Sequence, residues 1–258
     1  MPLLPILKFH HVGVRREPFG LRRLWVSAER FEEQMAYLAH NGYRTLSLRE
    51  CIPYLTGLDT PPKRSVVLTF DDGFTNFREH AFPILKRYGF TASVFIVTRE
   101  AGGTSRWDPG WDFPLMGWDE ILDLSRQGVE IGSHTVSHPH LTQLSLKEAK
   151  DELQKSRDVL EDKLNQPVHT LLYPYGDTNS GIESLAAEAG YALACTIDRG
   201  NLHSPDTRLR LKRVPMDEFT TLPRLRRRLS PLYHYSCRLL ALSRKIRTRL
   251  QEAGVRIR

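Results

Sequence analysis

The sequence predicts an α/β fold built on a parallel sheet, and three observations carry that expectation. Short apolar segments alternate with longer amphipathic ones along most of the chain. The amphipathic segments repeatedly end on glycine, at Gly42, Gly89, Gly128 and Gly190, just before the next apolar run. Polar clusters follow four of the apolar segments directly, where the strand ends of a parallel fold open onto one mouth.

Taken in order, eight segments have strand length and composition: Ile6–Phe9, Thr45–Leu48, Ser65–Phe70, Ala92–Val97, Glu130–Ser133, His169–Tyr173, Ala192–Thr196 and Leu211–Val214. A first helix is capped by Ser27, carries Glu29, Glu32 and Glu33 early, buries Phe31, Met35 and Leu38, and closes at Asn41-Gly42. Further helices are expected over Phe77–Tyr88, Trp118–Arg126, Ser145–Leu164 and Ile182–Ala189. Ser145 and Glu148 have capping-box spacing. Each closing glycine lets the chain turn through the left-handed region before the next strand. Residues 99–116, rich in Gly, Pro and Trp, read as a long surface loop bordering the mouth.

A chain of 258 residues with 40% hydrophobic and 26% charged residues suits one large α/β domain or two small ones. Cys51, Cys195 and Cys237 are odd in number and far apart, so neither a metal knuckle nor a disulfide framework is expected and a reducing compartment is the simpler reading. Met1–Leu7 lacks a basic start and is cut by Pro2 and Pro5, and no run of 18 apolar residues occurs. The expected location is cytoplasmic, with peripheral attachment at the inner membrane surface.

Charge divides the chain into two expected units. Residues 217–258 hold eleven basic side chains against Asp217, Glu218 and Glu252, a surplus of +8, whereas the whole chain is +7. The expected organisation is therefore a barrel domain over 1–216 and a basic amphipathic helical tail over 217–258. In the tail, Leu225, Leu229, Leu232, Leu239, Ile246 and Leu250 recur at spacings of four, three and seven, and Pro231 divides the stretch into two helices. Such a stretch suits an anionic membrane surface; equally, its leucines suit packing onto the barrel. Without a base-reading motif the basic surplus gives no case for nucleic acid.

Four clusters carry chemistry. Val66–Gly73 (VVLTFDDG) ends a buried strand on two adjacent carboxylates, so one can hold a cation while the other serves as a base; Asp-Asp-Gly is also good turn chemistry. Glu130–His140 (EIGSHTVSHPH) spaces His134 and His138 four apart, as on one face of a helical turn, where two imidazoles can share an ion; a surface histidine pair is the plain alternative. In Leu171–Gly176 (LLYPYG), Pro174 and Gly176 shape a turn that can aim the Tyr175 amide into the mouth, or simply make a rigid connection. Phe9-His10-His11 places a histidine at the end of the first strand, either as a general acid or as a structural group.

The order TFDDG, GSHTVSH, YPYG resembles the polysaccharide deacetylases of carbohydrate esterase family 4, the NodB-homology domain, with further similarity in Ile6–Gly13, Phe31–Leu48 and Gly117–Leu141. The resemblance covers roughly residues 5–216 and implies a distorted (β/α)7 barrel. It also implies one divalent metal ion, usually Zn2+, held by Asp72, His134 and His138. Asp71 is then the catalytic base and Tyr175 the residue whose main-chain N–H binds the oxyanion. The family arginine that pairs with the base is replaced here by Leu172, and the late Leu-x-His is absent. Both departures resemble the poly-N-acetylglucosamine deacetylase branch, where a histidine matching His10 supplies the acid. Arg199 is the candidate to take over the missing arginine's place beside Asp71.

The activity so implied is hydrolysis of N-acetyl groups on amino sugars of a polysaccharide or its lipid-linked precursor. The alternatives are a deformylase or deacetylase of another lipid-linked sugar at the inner membrane surface, and a catalytically inactive sugar-binding barrel.

Overall fold

A strand whose residues are buried on both faces must be covered inside and out, and β1 (Ile6–Phe9) and β5 (Ser65–Phe70) both have that pattern. The computed structural model describes residues 3–13, 23–107 and 112–252. Along the chain come β1, β2 (His11–Val12), β3 (Trp25–Val26), α1 (Ala28–His40), β4 (Arg44–Leu46), α2 (Ile52–Leu55), β5, α3 (Phe82–Arg87) and β6 (Ser93–Ile96). Then follow α4 (Trp118–Arg126), β7 (Glu130–Ser133), α5 (Leu146–Leu164), β8 (Thr170–Leu172), α6 (Ser180–Glu188), β9 (Leu193–Arg199), β10 (Leu211–Pro215), α7 (Leu222–Arg228) and α8 (Pro231–Glu252). Parallel pairing runs β1-β10-β9-β8-β7-β6-β5, and β1 returns to β5 from Ile6↔Val67 to Phe9↔Phe70. The result is the expected distorted barrel of seven parallel strands with helices outside. β4 lies alongside the first half of β5, outside that ring.

The local signals act as chemistry requires. Ser27 accepts from the Arg30 N–H at the start of α1, and Ser145 and Glu148 exchange the two bonds of a capping box. Three expectations shift. The strand expected over Thr45–Leu48 ends at Leu46, because the Ser47 and Leu48 amides are taken by the Glu50 and Ser93 side chains. The helix expected from Phe77 opens as a wide π turn over Phe77–Ala81 before α3, with Pro83 supplying no N–H at the junction. The loop over 99–116 is pinned by bridges from Leu115 to Phe74 and from Pro114 to Thr104, while its residues 108–111 lie outside the described set.

Two apolar clusters sort by strand alternation. Leu7, Phe9, Val66, Leu68 and Phe70 face the helices, whereas Leu4, Ile6, Val67, Phe95, Leu172, Cys195 and Leu211 fill the barrel. Phe95 crosses the interior only because β7 carries Gly132, where a β-carbon would stand 2.6 Å from its ring. Above this plug the inward positions turn polar: Lys8 and His10 follow Ile6, Thr69 and Asp71 follow Val67, and Arg213 follows Leu211.

Beyond residue 216 the chain first packs and then projects. Glu218 accepts from the Ser27 amide at 2.7 Å, Gln34 Nε2 donates to the Thr220 carbonyl at 3.0 Å, and Leu225, Leu229 and Tyr233 are buried in the helix-facing core. α7 and α8 are separate helices, with Pro231 opening the second. Leu232, Leu239, Leu240 and Leu242 are exposed; the side chains of Ile246 and Leu250, and the basic ones from Arg244 onward, lie outside the described set. Among the described residues no helix is long and apolar enough to cross a membrane.

Burial also leaves neutral histidines in the core. His203 donates from Nε2 to the Leu4 carbonyl at 3.0 Å, and burial lowers its pKa to about 4. His11 lies between the rings of Trp25 and Phe74, and burial lowers its pKa to about 3. The unfolded chain takes up these protons near pH 6.5, ahead of the native state, so stability is complete above that pH and falls as pH drops from 6.5 toward 4. His203→Gln keeps a donor without the titration. The loss between pH 6.5 and 5 should be shallower in this variant, by up to about 1.4 kcal/mol per pH unit, in urea unfolding. Identical slopes would show that His203 is not titrating.

Candidate metal centre and active site

The C-terminal ends of β1, β5, β7, β8 and β10 converge on one mouth. At the end of β5 the Asp71 amide donates to the Phe9 carbonyl at 3.0 Å, and the chain then turns through Asp72 (φ 73°) and Gly73 (φ 81°). The two adjacent carboxylates thereby acquire different partners. Asp71 is gripped end-on by Arg213, with Nη1 at 2.6 Å from Oδ1 and Nη2 at 2.9 Å from Oδ2. Arg213 is itself buried, and two further donors go to the Thr196 carbonyl at 2.9 Å and the Thr69 hydroxyl at 3.1 Å. A planar fork spent on a carboxylate and two further acceptors is the geometry in which a buried pair is tolerated. Burial, the largest single influence, pushes the Asp71 pKa up, but the charge and hydrogen bonds of Arg213 together with His10 and Lys8 outweigh it and hold the carboxyl below its ordinary value. Arg199, the expected partner, is exposed on β9; Arg213 holds the place instead.

Asp72 faces two imidazoles. Its Oδ1 is 3.1 Å from His134 Nε2 and 3.5 Å from His138 Nε2, and one ligand atom from each of the three residues lies within 4.8 Å of the others. His134 Nδ1 is 2.7 Å from the Leu172 carbonyl, so it carries the hydrogen and donates. That leaves the Nε2 lone pair turned toward a carboxylate oxygen. Two electron-rich atoms so placed call for a cation between them, and one carboxylate with two imidazoles is a donor set for a divalent ion with open positions for water. The second protein contact on His134, through Leu172, fixes ring and tautomer as metal ligands require.

The route from His134 to His138 is not the helical turn that their spacing suggests. Thr135 (φ 67°) and His138 (φ 60°) are both left-handed, and the loop between them is held from outside. Glu152 of α5 accepts from the Val136 amide at 2.8 Å and from the Ser137 amide at 2.9 Å and hydroxyl at 2.7 Å. The His138 amide donates to the Thr135 hydroxyl at 3.1 Å. With Asp72 and Tyr175 (φ 57°), four of the six non-glycine residues of positive φ among those described stand at this mouth. Each costs on the order of 1–3 kcal/mol and persists only where surrounding contacts impose it.

His10 Nε2 lies 3.4 Å from Asp71 Oδ2, its ring 14% exposed, and burial lowers its pKa to about 4 despite the neighbouring carboxylate. Beneath them Lys8, an inward residue absent from the sequence reading, is lowered to about 8 by burial and by Arg213. The Tyr175 ring stacks on His140 at 4.0 Å and meets His138 edge-on at 4.6 Å, and Trp107 stacks on His138 at 4.6 Å. Gly176 is required beside it, since a β-carbon there would stand 2.6 Å from the Ile197 amide nitrogen. Asp71, Asp72, His134, His138, His10 and Tyr175 are thus gathered at one mouth. Arg213, Glu152, Lys8 and Trp107 are the neighbours that motif reading passed over.

A parallel barrel with a carboxylate–bis-imidazole set beside an ion-paired carboxylate defines a class of metal-assisted hydrolase. Comparison with known proteins agrees: the polysaccharide deacetylase family model matches residues 58–194, just over half of the chain, and the chain belongs to that family, whose members are metal-dependent. YxkH of Bacillus subtilis is 28% identical over 76% of this chain, and a poly-β-1,6-N-acetyl-D-glucosamine N-deacetylase of Staphylococcus aureus is 29% identical over 64% of it. The chain spans 65% and 58% of the length of these two relatives. Among solved structures, the Streptococcus pyogenes deacetylase PplD in complex with acetate superposes with a TM-score of 0.79 at 27% identity, covering 90% of this chain and all of that one. IcaB from Ammonifex degensii shares the fold, with a TM-score of 0.76 at 23% identity over 89% of this chain and 98% of that one.

Arg213→Met leaves the Asp71 carboxyl buried without its counter-charge. Its pKa should then rise above the ordinary carboxylate value of about 3.9, read by carbon-13 NMR titration of labelled carboxylates, with a lower unfolding temperature above that pH. An unchanged Asp71 titration would mean that Arg213 does not set its charge.

Proposed function

We propose that this chain is a metal-dependent hydrolase that removes N-acetyl groups from amino sugars of a polysaccharide or its lipid-linked precursor. The observation that carries the reading is the buried Asp72–His134–His138 donor set beside the Asp71–Arg213 pair at one barrel mouth. The N-acetylglucosamine polymer named for the Staphylococcus relative supports the amino-sugar amide as substrate class.

Asp72, His134 and His138 hold the ion, for which zinc suits a mixed imidazole–carboxylate set. When bound, a divalent ion lowers the pKa of water toward ~7 and polarises an acetyl carbonyl. Asp71, kept ionised by Arg213, takes the proton of the attacking water. His10 is neutral at rest, so the proton it passes to the departing amine is the one that Asp71 has just taken, across their 3.4 Å contact. The Tyr175 main-chain N–H serves the oxyanion. Trp107 and Tyr175 offer aromatic faces on which a sugar ring can lie. The exposed leucines of α8, set among arginines, suit an anionic bilayer and so a precursor held there.

Asp71→Asn should retain one equivalent of metal by elemental analysis and lose acetate release from an N-acetylated glucosamine oligomer by about 10²–10⁴-fold, whereas Asp72→Ala should lose the metal itself. Parent-like turnover in Asp71→Asn removes it from the role of base, and absence of metal from the parent protein removes the hydrolytic reading in favour of a sugar-binding barrel.

His10→Ala separates the acid from the base. Hydrolysis of the acetamide should fall by at least about tenfold more than hydrolysis of an activated aryl acetate, whose leaving group needs no proton. Equal losses on both would assign His10 to structure.

A further inference from the structure

Beside the mouth, between α8 and the outer face of β9 and β10, lies a groove of about 650 Å³. Arg199, Lys212, Arg227, Arg228 and Arg238 line it, against the single carboxylate of Asp198. Arg228 is spent on the fold, donating to the Pro215 carbonyl and to the Thr220 hydroxyl. Arg199, Lys212, Arg227 and Arg238 make no ion pair with a carboxylate among the described residues. They come from two separate parts of the fold: Arg199 and Lys212 from neighbouring strands, Arg227 and Arg238 from the two terminal helices. Four cations gathered around one hollow repel one another unless an anion joins them.

Apart from Ser236, the rest of the lining is largely apolar. Ile197 and Leu240 are 49% and 59% exposed, and Tyr233 lies deeper. Ile197 also ties the groove to the metal centre. It is the residue against which Gly176 is packed, next to Tyr175 and through it His138. An anionic group in the groove would therefore belong to a molecule whose other end reaches the mouth, or to a surface on which the mouth sits.

We infer that this groove binds a phosphate or diphosphate group attached to an apolar chain. Arginine forks suit phosphate oxygens, and Ile197 and Leu240 offer apolar contact beside them. The inference rests on the hydrolase reading for its meaning, since it makes the substrate a phosphate-linked lipid precursor or places the enzyme on phospholipid; the binding itself does not depend on that reading.

Calorimetry on the metal-loaded full chain tests it, with inorganic diphosphate and farnesyl diphosphate as probes. Both should bind at one site, farnesyl diphosphate the more tightly, and Arg227→Glu should weaken both at least about tenfold. Arg226→Glu makes the same change in net charge on an exposed residue outside the groove, and should alter binding by less than about twofold. No binding of either diphosphate, or equal losses in the two variants, overturns the proposal in favour of a diffuse cationic surface. The source of the phosphate is read from two further arms. If Arg227→Glu lowers kcat/KM for N-acetylglucosamine on a farnesyl diphosphate carrier but not for the free oligomer, the phosphate is the substrate's. If it instead abolishes binding to phosphatidylglycerol vesicles and leaves both substrates alike, the phosphate is a bilayer lipid's. Should neither substrate release acetate, the hydrolase reading falls, and the calorimetric result decides the groove by itself.

Discussion

A guanidinium buried inside a barrel of aliphatic side chains is the constraint around which this site is organised. Removing a charged group from water costs several kcal/mol, recovered only when its donors find acceptors in good geometry. Arg213 places four of its five N–H donors, on both oxygens of Asp71, the Thr196 carbonyl and the Thr69 hydroxyl. Those partners lie on β9 and on or just after β5, so the ion pair ties β10 to its neighbour β9 and, across β1, to β5. Asp71 cannot turn toward the imidazoles while both its oxygens are held, which leaves Asp72 to face His134 and His138. The division of labour between two adjacent carboxylates thus follows from one salt bridge.

Around that pair, strain is spent where ligands must converge. An extended strand followed by a helix would carry Asp72, His138 and Tyr175 away from one another; single left-handed residues reverse the chain instead. Glu152, reaching over from α5, binds the loop that joins the two histidines and so ties an outer helix to the geometry of the mouth.

Much of this was legible in the sequence because it is written in neighbouring residues. Adjacent carboxylates after a buried strand, paired histidines after a glycine, and a proline–tyrosine–glycine turn are local patterns, and the barrel brings their strand ends together without further instruction. The eight strands were readable for the same reason, apart from the early end of β4, where side-chain acceptors captured the amides. Arg213 was hidden because its role depends on a partner 142 residues away. The signal was nevertheless present: Leu211 and Arg213 share one face of a strand, and a charge on the face that is otherwise aliphatic has to meet an opposite charge inside. The histidine spacing misled in the other direction, since four residues also span a tight loop if Thr135 and His138 adopt positive φ. β2 and β3, two residues each, are below what any periodicity can reveal.

The filled interior has a consequence for traffic. With Phe95 lying over Gly132 and aliphatic side chains below the polar layer, the barrel is plugged beneath its mouth. On the proposed reading, a polymer would lie across the rim and dip one acetamide inward, and acetate would leave by the way it came, past the chain that delivered it. Turnover on a long substrate would then be paced by how readily that chain lifts, shifts or slides along the rim, so that the spacing of modified sugars is set by movement at the surface as much as by bond cleavage below it.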